Sequence, residues 1–262
     1  MELLNSTPHY KWLFKRSKKT TKKILVVFSP FSGFMLKHSN FEHDTLYIHE
    51  SVNSYYTFKT DKLTADIFNI AEKLRKNELI LLGSSKSAYP AIFCGRSISE
   101  GLHLRKCKSI CFSPVTRVYP LKKNLPFSTY PQFIELLNSK NHVKREAIKN
   151  GHPPATSNLK NYREKIIYAQ FCEHDVREIE WLIKNSTNIK IDTTPIPTSI
   201  HHVITMFAAS KKDLARFVSD CKKSNNGELE LPWLERDDKL FELQAPLIFN
   251  KIKNQSIVSI TK

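Results

Sequence analysis

Fifteen residues, Leu79 to Phe93 (LILLGSSKSAYPAIF), restrict this chain more than any other stretch of it. An apolar run ends in Gly83-Ser84-Ser85-Lys86-Ser87-Ala88, and a helical apolar pattern begins at once. A strand that turns into a helix with no intervening loop puts Ser85 at the tip of a sharp, strained turn. Residues two before and two after that tip pass close to each other, so large side chains there would clash. Gly83 and Ser87, with Ala88 alongside, meet the requirement. Pro90 is tolerated because the N–H it lacks is an orphan in the first turn of a helix anyway. As a bare pattern G-x-S-x-S is weak, and a polar loop produces it too. The strand before it and the helix after it supply the weight.

The same alternation extends along the chain. Lys23 to Phe28 (KILVVF) is a short, continuous apolar run, the mark of a strand buried on both faces of a parallel sheet. Similar runs recur at Thr45–His49, Glu78–Leu82, Ser109–Phe112, Ile166–Phe171 and Asn188–Thr193. Helical patterns lie between them. Asp61 to Lys76 sets Leu63, Ile67, Ile70, Ala71 and Leu74 on one face, and Asp175–Lys184 and His202–Cys221 are also amphipathic. Strands alternating with helices predict an α/β fold, with a mainly parallel sheet flanked by helices. A chain of 262 residues suffices for one such domain over 1–262. The proline-rich region 113–164 interrupts the alternation and reads as an insertion of the lid or binding kind, with helices over Pro131–Asn138 and Val143–Lys149. Residues 226–262 form a C-terminal extension with an acidic patch and one helical pattern, Arg236–Phe249.

The composition is ordinary except in charge: 41 Lys and Arg against 25 Asp and Glu, a net +16. Such a balance favours contact with an anion, whether nucleic acid, lipid head groups, acidic polysaccharide or a phosphorylated cofactor. A generally lysine-rich surface is the bland account, and the two stand about even. No helix-turn-helix, zinc-finger or RNP pattern accompanies the charge, so nucleic acid is the poorer partner. The basic, aromatic stretch His9–Lys23 is better read as a strand, Tyr10–Lys15, followed by a solvated turn. The five cysteines form no C-x-x-C pair, which argues against a disulfide framework or a metal site and suits a reducing cytosol. Neither a signal-peptide core nor an apolar run of membrane-spanning length is present, and the chain reads as cytoplasmic.

A nucleophilic serine needs a base, and the base needs an orienting carboxylate. On a strand-to-helix elbow the chain order is serine, acid, histidine. Cys172-Glu173-His174-Asp175 follows the strand ending near Phe171, immediately before a helix. Asp175 is the candidate acid, although aspartate at a helix start also serves as a cap, and Glu173 is its rival. After the next strand comes His201-His202, again opening a helix; His201 is the candidate base and His202 the alternative. Backbone N–H groups of Lys86 and of Phe31, in the loop Ser29-Pro-Phe-Ser-Gly33, are the candidate oxyanion donors, since Pro30 cannot donate.

FSPF (Phe28–Phe31), LLGSSKS (Leu81–Ser87), Cys172-x-x-Asp175 and the late histidine together resemble the bacterial α/β-hydrolase-fold O-acetyltransferases of capsular polysaccharide and their uncharacterised relatives. By motif order the similarity spans Lys23 to Phe217, with strong identity confined to the first two motifs. That family carries LLGSSKGG where this chain has Ser87-Ala88, and glycines before its histidine where this chain has Ser199-Ile200. The resemblance implies an α/β-hydrolase fold, acetyl-CoA as acyl donor and a surface glycan as acceptor; the net charge, separately, favours an anionic glycan. Transfer of the acyl-serine to water, as in a carboxylesterase, stays open. So does a catalytically inactive relative that uses its basic surface to hold a polyanion.

Overall fold

In a computed structural model, the structure describes residues 2–4, 7–101, 106–122, 127, 129–155, 159–186, 188–198, 201, 203–204 and 255–262. Its strands are β1 Glu2–Leu4, β2 Tyr10–Lys15, β3 Lys23–Ser29, β4 Asp44–Glu50, β5 Glu78–Ser84, β6 Lys106–Phe112, β7 Tyr162–Ala169 and β8 Lys190–Ile196. They form one eight-stranded sheet in the order β1-β2-β4-β3-β5-β6-β7-β8. Every pair from β4 to β8 is parallel. The ribbon β1-β2 joins that sheet antiparallel, through β2 against β4. The described helices are α1 Thr60–Lys73, α2 Ala88–Gly101, α3 Thr129–Ser139, α4 Asn141–Asn150, α5 Glu173–Lys184 and the short α6 Ile257–Ile260.

Alternate residues of the central strands feed two apolar layers. Ile24, Val26, Phe28, Leu79, Leu81, Cys111 and Ile166 belong to the larger one, with the buried faces of α1 and α2. Leu25, Val27, Ile80, Leu82, Ile110, Phe112 and Ile167 belong to the smaller one, covered by Met35, Phe41, Val203, Ile204 and the α6 residues Ile257 and Ile260. Burial on both faces explains why these strands read as unbroken apolar runs. Helix α1 buries Leu63, Ile67 and Ala71, a strict four-residue spacing that makes a single stripe.

Several boundaries differ from the sequence reading; β6, for one, begins at Lys106, three residues before the expected Ser109. Strand β7 begins at Tyr162, so the insertion ends before residue 162 and not at 164. Glu164 is fully buried there because Arg96 of α2 grips it through Nε at 2.7 Å, while Arg96 Nη2 donates to Ser186 Oγ. An apolar count cannot see a buried ion pair. Strand β8 lies two to three residues later than expected and runs through Pro195, which an edge strand accommodates. Within the insertion, α3 and α4 bury Tyr130, Phe133, Leu137, Val143 and Ala147 in the larger layer, so this part of 113–164 is built into the core. Of the extension 226–262 only residues 255–262 are described; the helical patterns at Arg236–Phe249 and over most of His202–Cys221 lie outside the described residues.

Candidate active site

The sheet reverses direction of growth between β3 and β5: β4 lies on one side of β3, and every later strand is added on the other. The crevice outside the carboxyl ends of strands at such a switch point is where open α/β sheets bind ligands. Ser85 follows β5 and Phe31 follows β3, so these two residues flank the switch. Ser113 follows β6, Asp175 follows β7 and His201 follows β8. Five neighbouring strands thus deliver five residues to one edge.

The elbow has the strain its sequence demands. Ser85 takes φ 52, in the left-handed region that β-carbon-bearing residues avoid. A one-turn 3-10 segment, Ser85–Ser87, leads into α2. A Cβ on Gly83 would lie 2.1 Å from the Ser87 carbonyl oxygen, so only glycine fits. Ser87 does more than stay small. Its hydroxyl accepts from Ser84 N–H at 2.9 Å and donates to Ser84 C=O at 2.8 Å, closing the turn. Val115 N–H holds the Ser85 carbonyl at 3.1 Å. Ser85 is 6% exposed.

Asp175 Oδ1 lies 2.5 Å from His201 Nδ1, and its Oδ2 accepts from Ala169 N–H at 2.9 Å. Asp175 is not the helix cap; Cys172 occupies that position and Asp175 sits one turn in, aimed back over the sheet edge. Burial alone would raise the Asp175 carboxyl. The His201 bond and charge, Ala169 N–H and the Ser113 hydroxyl outweigh it and hold the group below the usual carboxylate range. Glu173 points elsewhere: it is exposed and pairs with Arg177. His202 lies outside the described residues. The Phe31 side chain is 56% exposed in its turn.

Several groups at this edge escaped the sequence reading. Ser113 adopts φ 42, and its hydroxyl also accepts from Val203 N–H at 3.4 Å, beside His201. The His174 ring meets His201 edge-on at 5.4 Å, and Phe127 packs against both rings. Burial pulls the His174 imidazole down to about 4 against the attraction of Glu178, with His201 and Lys122 lowering it further and Asp175 opposing. On the other flank, Lys86 donates from Nζ to Asn53 Oδ1 at 2.7 Å and lies 5.3 Å over the Tyr55 ring. Asn53 and Tyr55 both reach Thr129 at the start of α3. Glu50 accepts from Ser54 and Tyr56 N–H groups, and burial still pushes its carboxyl up to about 7 despite the nearby Lys86 charge. A serine after a strand and a histidine beside a candidate acid were the available signals for Ser113 and His174. Their partners come from distant parts of the chain, and no local pattern marks them.

Among the described residues, Cys172, Asp175 and His201 bring donor atoms within 4.8 Å of one another. Burial raises the Cys172 thiol to about 11, which keeps it protonated at neutral pH and a poor metal ligand. The arrangement suits proton handling by the Asp175–His201 pair better than coordination.

No family model and no curated protein matches the chain. Solved structures do. The capsule O-acetyltransferase of Neisseria meningitidis serogroup A aligns at a TM-score of 0.50 and 17% identity, over 73% of this chain and 84% of its own. The Francisella virulence factor BioJ aligns at 0.50 and 10% identity, over 87% and 84%. Mouse alpha/beta hydrolase domain-containing protein 10 aligns at 0.49 and 14%, over 86% and 98%. At these identities the likeness concerns architecture: the chain has the α/β-hydrolase fold.

Proposed function

We propose that this chain is a serine-dependent acyl-transfer enzyme that works through an acyl-Ser85 intermediate and O-acetylates a bacterial surface polysaccharide. The observation that carries the reading is the strained Ser85 at a helix start, on the same sheet edge as the hydrogen-bonded Asp175–His201 pair. Strain of this kind is costly to hold and clusters where chemistry needs it.

In this reading His201 Nε2 takes the Ser85 hydroxyl proton as Oγ attacks the thioester carbonyl of acetyl-CoA. Asp175 keeps the Nδ1 proton in place and steadies the imidazolium. The tetrahedral oxyanion sits against the N–H groups of Phe31 and Lys86. Collapse expels the thiolate of coenzyme A, which leaves with the proton from His201. An acceptor hydroxyl then gives its proton to His201, attacks the acetyl-serine and departs as the ester, returning Ser85.

The test compares release of free coenzyme A from acetyl-CoA with and without a hydroxyl-rich polysaccharide. A transferase releases thiol in proportion to acceptor and leaves acetyl esters on the polymer. Thiol release that ignores the acceptor would make the chain a carboxylesterase-type hydrolase.

A further inference from the structure

The edge of the sheet opposite Ser85 carries a charge arrangement that the proposed chemistry does not use. Strand register sets Lys108 of β6 beside Arg163 of β7, and Arg163 beside Lys190 of β8. Register partners on neighbouring strands face the same way about 4.8 Å apart, so these three cations form one row. Their parity matches Ile110, Ile167 and Ile196, which places the row on the side of the smaller apolar layer. The same parity adds Lys23, Lys106 and Lys165, against two carboxylates, Glu78 and Asp192. Lys106, Arg163 and Lys190 are exposed; Lys23, Lys108 and Lys165 are half-buried.

Like charges set directly opposite in a sheet repel and destabilise it. Lys106, Lys108, Arg163, Lys165 and Lys190 make no ion pair with any described residue. The charges also feel one another: burial lowers the Lys108 ammonium, and Lys165, Lys23 and Arg163 lower it further, with only Asp192 opposing. Among the described residues, then, this three-wide cationic row has no ion-pair partner and can take an anion from outside.

We infer that this row is a docking surface for a linear acidic polysaccharide. The inference rests on the glycan-acceptor reading above and adds where, and through which charges, the polymer is held. Other polyanions fit the surface less well. None of the described register partners directly beside the six cations is an aromatic side chain on which a nucleic-acid base would stack. The exposed large apolar residues among those described, Phe31, Leu121, Ile148, Phe171 and Ile183, lie on other elements, so none of them anchors a lipid surface beside the row. A glycan needs neither feature, only cations at regular spacing. Lys108 is level with Ile80, five residues before Ser85 on the same chain segment, or about 16 Å along the strand. A polymer longer than that can be held at one edge of the sheet while another of its sugars lies at the other.

The experiment measures binding of oligogalacturonate of defined length to the full chain and to the Lys108→Gln/Arg163→Gln/Lys190→Gln variant, across a salt series. The wild-type chain is expected to bind with an affinity that falls steeply as salt rises, and the variant to bind at least tenfold more weakly. The salt slope should drop by about two to three, roughly one for each cation removed, as counterion release predicts. Neutral dextran should bind to neither. If the triple variant unfolds, Lys190→Glu on the exposed edge strand substitutes for it and should weaken binding several-fold. Equal affinity in wild type and variants overturns the inference, as does tighter binding of single-stranded DNA of equal charge. Ser85→Ala must bind the oligosaccharide normally, so failure of the serine chemistry and failure of the docking surface are read separately.

Discussion

His201 and Asp175 are 26 residues apart in sequence and 2.5 Å apart at Nδ1 and Oδ1. Ala169 N–H on its other oxygen and the Ser113 hydroxyl alongside hold Asp175 against the imidazole. Replacing it with asparagine leaves the shape and removes the charge. In the proposed mechanism turnover should then fall by about four orders of magnitude, as when the triad carboxylate of a serine protease is neutralised. Glu173→Gln should be mild, because that side chain reaches only solvent and Arg177; steady-state kinetics on both variants checks the contrast. The elbow gives two predictions about stability. Gly83→Ala drives a Cβ to within 2.1 Å of a backbone oxygen and should cost about 3 kcal/mol or more in urea unfolding. Ser85→Gly relieves the positive φ that Ser85→Ala retains, and should be the more stable of the two by about 1 kcal/mol. The reverse order would mean that the turn is not strained.

Strands β3, β4, β5 and β6 were legible in sequence because both of their faces meet apolar layers, so hydrophobicity alone marks them. Strands β7 and β8 were misplaced for opposite reasons. The start of β7 carries Glu164, buried with Arg96, which looks like surface; β8 is an exposed edge whose pattern is mostly polar. The elbow could be read in full because its chemistry is local, spanning Gly83 to Ala88. The shell around it could not. Ser113, His174 and the link from Lys86 through Asn53 to Thr129 depend on loops from different strands meeting at the switch point. Glu50, at the end of β4, shows what such a meeting does to stability. Its carboxyl is pushed up to about 7 in the folded chain, above the unfolded value of 4.5. A raised pKa contributes stability that is fully present below the unfolded value and is lost as pH rises through the folded one. Glu50 therefore contributes a fall in stability between about pH 4.5 and 7, opposed by the rise that the lowered His174 imidazole contributes between about pH 4 and 6.5, so its part is read as the difference between wild type and Glu50→Gln. Glu50→Gln should gain stability relative to wild type as pH rises through that window, with a melting temperature several degrees higher at pH 8. An unchanged pH profile would place Glu50 in contact with water.

At the scale of the whole molecule, the sheet separates two kinds of surface: a buried edge at the carboxyl ends of the strands, where Asp175 and His201 are hydrogen-bonded, and a cationic face towards their amino ends. Exposed charges farther apart than about 8 Å are largely screened at physiological salt. For an anionic substrate KM should rise with added salt while kcat holds, whereas p-nitrophenyl acetate should be indifferent, having no charge for the field to act on. Equal responses from both substrates would assign the net +16 to general lysine content and leave no role for it in substrate capture. No described helix is long and apolar enough to cross a membrane, so the cationic face is not the flank of a spanning segment among those residues. All of this presupposes that Ser85 is a nucleophile, and covalent labelling tests that most directly. The full chain is treated with a fluorophosphonate and its intact mass and peptide map are recorded, beside Ser84→Ala and Ser85→Ala. One adduct, on Ser85, present in wild type and Ser84→Ala and absent from Ser85→Ala, is the predicted result. An adduct that survives in Ser85→Ala, or a wild-type chain that takes none, would contradict the account.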